Sequence, residues 1–368
     1  MRIVTVVGNR PQFVKAAAVS RRLREHHDEV LIHTGQHHDD ALSAVFFREL
    51  DLPAPDHELR LGGGTNLAQT SRMLVELEGL LRGALDDGPV DGVLVYGDTN
   101  TTLAAALVAA DLGVPIAHVE AGMRSFDRRM PEERNRVVTD HLAQLLLVPT
   151  ATAERNLERE GLGERVVDVG DVMTDVTLLV HPKARERAGE WLAARDLRPG
   201  GYVLATAHRA GNVDDPDRLA ALVDVLLAVA APERPLVLPL HPRTAARLTE
   251  HGLDERLRGA PGVRLVEPAG PLDFATLLVG AESVLTDSGG VQKEAYLAGI
   301  RCVTLRDTTE WGETVQTGWN ALVDLDAEAA VAALAVPVPR EHPDVFGDGR
   351  AGERVVQALE RGLAAPPR

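Results

Sequence analysis

Three features of the sequence predict an α/β protein with two domains built on parallel sheets. Short β-branched runs alternate with longer amphipathic stretches along the chain, the pattern of repeated strand–helix–strand units. The length, 368 residues, exceeds the size at which one hydrophobic core usually stops growing, so two domains are the default. The polar residues collect where strands should end, in "GNRPQ", "GQHHDD", "GDTNTT", "EAGMRS", "AHRAGN", "HPR", "DSGG" and "RDTTEW". In open parallel sheets, ligands bind outside the carboxyl ends of the strands. Two such sheets facing each other would direct these groups into one cleft.

In order, the first half offers the strands "RIVTVVG", "EVLIHTG", "DGVLVYG", "PIAHVEA", "QLLLVPT" and "RVVDVG". The second offers "YVLATAH", "PLVLPLH", "VRLVEP", "SVLTDSG" and "RCVTL". Amphipathic stretches such as "NLAQTSRMLVELEGLLRGAL" and "DRLAALVDVLLAVA" separate them. Near Gly170 the strand pattern pauses before restarting, which places the domain boundary there: 1–170 forms the first domain and 171–348 the second. "AVPVPREHPDVFGDG" is a Pro/Gly-rich crossing, and a final helix lies within 349–368.

Composition excludes several functions. Aromatics make up 3% of the chain, too few for base-stacking platforms. A net charge of −16 has the wrong sign for a phosphate backbone or an anionic membrane. No apolar stretch approaches the ~20 residues of a membrane span, and no signal peptide precedes the first strand. The single cysteine, Cys302, has no partner for a disulfide or a zinc site. The expectation is a cytoplasmic protein that binds neither nucleic acid nor membrane.

The chemistry-bearing residues sit in the polar groups. In "TDSGGVQKEA", Ser288, Gly289 and Gly290 follow a strand and open a helix, so N–H groups and the helix dipole can face a diphosphate. Glu294, further along that helix, can accept from ribose hydroxyls. "GNRPQFVK" pairs Arg10, which can hold a phosphate from the loop, with Lys15 just after the first strand. Asp98 in "YGDTNTT" and Glu120 in "HVEAG" end adjacent strands, and "MPEER" adds Glu132. A carboxylate at an interior strand end is costly unless paired or working, so three together suggest acid/base chemistry, with nearby arginines as balancing charge. His208 in "ATAHRAGN" is a further acid/base candidate. Each group also has an ordinary reading: a plain strand–helix turn, solvated cations, structural ion pairs, a structural histidine. "TGQHHDD" only superficially resembles a metal cluster, because adjacent His37 and His38 would rarely face one ion, and no metal site is expected.

Together "GNRPQFVK", "GDTNTT", "HVEAGMRS", "MPEERNR", "HR", "TDSGGVQKEA" and "RDTTE" resemble the UDP-N-acetylglucosamine 2-epimerase family, in order and through nearly the whole chain. "SFDRRMPEERNRVVTDHL" and "CVTLRDTTEWGETVQTGWN" are most similar to a subgroup that includes UDP-2,3-diacetamido-glucuronic acid 2-epimerases. The resemblance implies two Rossmann-like domains facing a cleft, glycosyltransferase-B-like, with the last helix returning to the first domain. It implies a non-hydrolysing exchange of UDP-GlcNAc and UDP-ManNAc by loss and re-addition of UDP, with neither nicotinamide nor metal, in a homodimer. On this pattern Asp98, Glu120 and Glu132 transfer protons and His208 assists the leaving diphosphate. Arg10, Lys15, Ser288, Gly289, Gly290 and Glu294 would hold UDP, and Phe274 would line the uridine site. Trp311 stands where many members carry an arginine, which implies one cation fewer near the substrate. A hydrolysing epimerase that releases ManNAc, or a glycosyltransferase on the same fold, remain alternatives from the sequence.

Overall fold

A computed structural model describes residues 1–36 and 53–363. The chain divides into two units, one of Met1–Val176 with Asp344–Arg368 and one of Thr177–Pro343. In the first, strands β1 (Arg2–Val7), β2 (Asp28–His33), β3 (His57–Glu58), β4 (Gly92–Tyr96), β5 (Ile116–Val119), β6 (Leu145–Val148) and β7 (Val166–Asp168) form a parallel sheet ordered β3-β2-β1-β4-β5-β6-β7. Alternation along each strand feeds two cores. Ile3, Val7, Leu94 and Tyr96 pack on one face; Val4, Val6, Val93 and Val95 pack on the other. This is the burial on both faces that helices over a parallel sheet produce.

Helix starts follow the capping chemistry of the sequence. Asn9 accepts from the Gln12 N–H at 3.2 Å to begin the helix Arg10–Leu23, which carries proline in its first turn. Thr99 accepts from the Thr102 N–H at 3.2 Å to begin Asn100–Asp111. The helix Ala351–Gly362 belongs to this unit, and its Val355, Val356 and Leu359 lie in the core with Phe13 and Leu23. Asp175 accepts from the N–H groups of Ala351 and Gly352 at 2.9 and 2.7 Å, capping that helix from a distant part of the chain.

The second unit repeats the plan. Strands β8 (Val203–Thr206), β9 (Leu236–Pro239), β10 (Val263–Val266), β11 (Ser283–Thr286), β12 (Arg301–Thr304) and β13 (Asn320–Leu322) are parallel, in the order β10-β9-β8-β11-β12-β13. Val203, Ala205, Leu285 and Val303 face one core, while Leu204, Val284 and Cys302 face the other. The two α/β units with open parallel sheets match the predicted fold class. The sheets gain β3 and β13, short edge strands beyond the eleven expected. Each sheet reverses its strand order once, at β1/β4 and at β8/β11, the switch points where such sheets bind ligands. Among the described residues, no helix is long and apolar enough to cross a membrane.

Candidate functional site

The first unit gathers its polar residues at the β1/β4 switch point. Tyr96 and Val119 are register partners on β4 and β5, so Asp98 and Glu120 leave the sheet side by side, on strands ~4.8 Å apart. Gln12 ties the end of β1 to this edge, accepting from Gly8 N–H at 2.8 Å and donating to the Tyr96 carbonyl at 2.7 Å. From the same helix, the ammonium of Lys15 pairs with the Glu120 carboxylate. Glu120 takes a left-handed backbone with φ 68°, as does Gly97 with φ 61°. For a residue with a Cβ this costs roughly 1–3 kcal/mol, and such strain clusters at functional sites.

Asp98, about one-third exposed, pairs with Arg136 from the helix Pro131–Leu142. Arg136 forks, donating its other arm to Glu133 at 2.8 Å. Burial alone would lower the Arg136 guanidinium's pKa, but Asp98 and Glu133 outweigh it and hold the pKa above its ordinary value. Glu133 accepts from the Ser125 and Phe126 N–H groups at 2.8 and 3.0 Å, clamping the loop after β5. Its carboxyl sits below the ordinary range: burial raises it, and the Ser125 hydrogen bonds and Arg136 more than compensate. Glu132 is exposed on the helix's first turn, so the adjacent carboxylates divide between solvent and scaffold. The side chain of Arg10 and residues His37 and His38 lie outside the described residues.

The second unit repeats this geometry at β8/β11, where Thr206 and Thr286 are register partners. His208 and Ser288 each follow by two residues. Fully buried Asp287 accepts from the N–H groups of His208, at 3.0 Å, and Arg209, at 2.9 Å, fixing the turn that presents both side chains. The His208 ring is part exposed and stacks on His241, with centroids 5.3 Å apart. Ser288 is the N-cap of the helix Gly289–Ala298, but its hydroxyl makes no cap hydrogen bond. Gly289 and Gly290 begin that helix; a Cβ on Gly289 would lie 3.2 Å from the Trp311 indole nitrogen. Glu294 is part-buried on the same helix, and Phe274 packs part-buried in the helix Pro271–Val279.

Behind the turn, Glu310 accepts from Arg209 at 3.0 Å and from Arg306 at 2.9 Å. Burial would raise the Glu310 carboxyl, yet these arginines hold it down at about 2. Buried Lys293 places its Nζ 3.9 Å from the centre of the Trp311 ring, a cation–π contact. The sequence does not single out Asp287, Glu310 or Lys293, and it shows Glu133 and Arg136 only as members of a charged segment. All lie inside the quoted motifs, and only tertiary contact separates them from their neighbours.

The family model for UDP-N-acetylglucosamine 2-epimerase matches residues 21–360. A UDP-2,3-diacetamido-2,3-dideoxy-D-glucuronate 2-epimerase from Pseudomonas aeruginosa is 45% identical, covering 98% of this chain and 100% of its own. A UDP-N-acetylglucosamine 2-epimerase from Methanocaldococcus jannaschii is 41% identical over 98% of this chain and 100% of its own. The crystal structure of that archaeal organism's UDP-GlcNAc 2-epimerase in complex with UDP-GlcNAc and UDP superposes with a TM-score of 0.90 at 40% identity, covering 98% of this chain and 100% of the other.

Proposed function

Because the chain belongs to the UDP-N-acetylglucosamine 2-epimerase family, we propose that it interconverts UDP-GlcNAc and UDP-ManNAc by inverting C2 without hydrolysis. The observation that carries this reading is the pair Asp98 and Glu120 at the neighbouring ends of β4 and β5, with Lys15 of the helix after β1 paired to Glu120. The C2 hydrogen is a weak acid, because C1 is an acetal carbon rather than a carbonyl. Its removal becomes feasible when the C1–oxygen bond breaks in the same step. The C2–H electron pair becomes the C1–C2 double bond of 2-acetamidoglucal, and the C1–oxygen pair leaves with UDP. Re-addition reverses the step, with a proton delivered to the opposite face of C2.

Asp98, Glu120 and Glu132 are the groups assigned to those proton transfers, each worth ~10²–10⁴-fold when positioned. The part-exposed His208 faces the departing diphosphate in this scheme. Arg10, Lys15, Ser288, Gly289, Gly290 and Glu294 hold UDP, and Phe274 lines the uridine. The N-terminal turn of the helix Gly289–Ala298 supports that assignment, since its N–H groups and dipole favour an anion. The enzyme acts as a cytoplasmic homodimer in this reading, on the strength of the family pattern. The similarity to the Pseudomonas protein favours a second reading, with UDP-2,3-diacetamido-glucuronic acid as substrate of the same chemistry.

Proton NMR of the protein with UDP-GlcNAc in deuterated water tests this directly. UDP-ManNAc carrying deuterium at C2 is the expected product. Free ManNAc with UDP would replace the non-hydrolysing scheme by the hydrolytic one. UDP-GlcNAc left untouched and undeuterated would remove it as substrate, and the diacetamido uronic acid would be tested next.

A further inference from the structure

One buried polar cluster in the first unit plays no part in that scheme, yet it touches every element that carries the scheme's carboxylates. His118 is fully buried on β5, two residues before Glu120. Its Nε2 donates to the Gly97 carbonyl at 2.7 Å, and its Nδ1 donates to Asp140 Oδ1 at 2.6 Å. Asp140, also fully buried, lies on the helix Pro131–Leu142 that carries Glu132 in its first turn. It accepts from the Gly122 N–H at 3.1 Å and pairs with Arg124 at 2.7 Å. Arg124 then donates a fork to Glu160, at 2.8 and 2.7 Å. Burial raises the Asp140 carboxyl, but His118 and Arg124 outweigh burial and keep it ionised.

The covalent neighbours of these contacts give them their meaning. Gly97 immediately precedes Asp98, Gly122 follows Glu120 by two residues, and Asp140 shares a helix with Glu132. The ladder thus fixes three backbone segments to one imidazole and one carboxylate. A buried ionic ladder is weak evidence for stability, because well-packed apolar groups can do that work as well or better. Its distinguishing property is geometric: a hydrogen bond holds atoms to tenths of an ångström, and apolar packing permits more sliding.

We propose that His118, Asp140 and Arg124 are positioning residues that hold Asp98, Glu120 and Glu132 in register for proton transfer at C2. This inference rests on the epimerase reading above. His118→Phe keeps a planar ring and removes both donors; Arg124→Lys keeps the charge and removes the fork. Steady-state kinetics, C2 deuterium wash-in and calorimetric UDP binding are measured on both variants, with circular dichroism to establish folding. The expected His118→Phe result is a fall in kcat on the order of 10²-fold, as misplacement by about 1 Å produces, with KM and UDP affinity little changed. Arg124→Lys should fall between this variant and the wild type, and it decides the question where His118→Phe does not fold. A folded variant with wild-type kcat, or one that changes only the melting temperature, would overturn the network. Wild-type protein that washes in no deuterium from either UDP sugar would overturn the reaction itself, a separate outcome.

Discussion

Gly97 lets the ends of β4 and β5 come together, because its φ of 61° is open to glycine and its missing side chain leaves room for the Lys15–Glu120 pair. A Cβ there would lie 3.2 Å from Lys15 Nζ and 3.3 Å from Glu120 Oε2. Gly97→Ala should therefore cost about 1 kcal/mol of stability for the left-handed backbone and at least about tenfold in kcat for the displaced pair. Equal melting temperature with unchanged kcat would show that the pair tolerates displacement. At this scale Asp98, Glu120, His208 and Ser288 were legible because each follows a strand by one or two residues. Glu133 was not, since it differs from Glu132 only by the ~100° turn between successive helical positions. That rotation sends one carboxylate to solvent and the other to the Ser125–Phe126 backbone. Arg136 shows in the sequence only as balancing charge: its pair with Glu133 is a local i,i+3 contact, but the arm to Asp98 closes only in space.

Among the elements, the long strands were legible because short Val, Ile and Leu runs bounded by glycine read as buried strands. The short edge strands were not: "HE" at β3 and "NAL" at β13 have two and three residues and no apolar alternation. The cap on the helix Ala351–Gly362 was also hidden, because its acceptor, Asp175, lies 176 residues earlier in the chain than Ala351. Burial raises the Asp175 carboxyl, and the two N–H groups pull it partly back. Asp175→Ala should lower stability by about 1–2 kcal/mol, as loss of a strong cap does. Urea unfolding measures this; an unchanged midpoint would mean that apolar packing alone seats the helix.

For the molecule as a whole, two buried groups with large shifts contribute to the response to acid. Burial, reinforced by Arg185, pulls the His181 imidazole down to about 4 from an ordinary 6.5. Glu310 titrates at about 2 instead of 4.5. Each native pKa lies below its unfolded value, so the unfolded chain binds more protons in the intervening window. Stability is thus intact above pH 6.5, falls between about 6.5 and 4 through His181, and falls again between about 4.5 and 2 through Glu310, by roughly 3 kcal/mol for each group. Urea midpoints at pH 7, 5 and 3 should decline in that order, and His181→Leu should flatten the upper step. A midpoint constant from pH 7 to 5 would contradict the burial assigned to His181.

The membership of the helix Ala351–Gly362 in the first unit also bears on how the protein is made. During translation the sheet β1–β7 emerges first, but the apolar surface destined for Val355, Val356 and Leu359 stays wet until the final turns leave the ribosome. All six strands of the other unit are synthesised in that interval. The half of the chain that is made first is therefore sealed last, and the nascent protein carries an exposed apolar face through most of its synthesis, where chaperones and proteases can reach it.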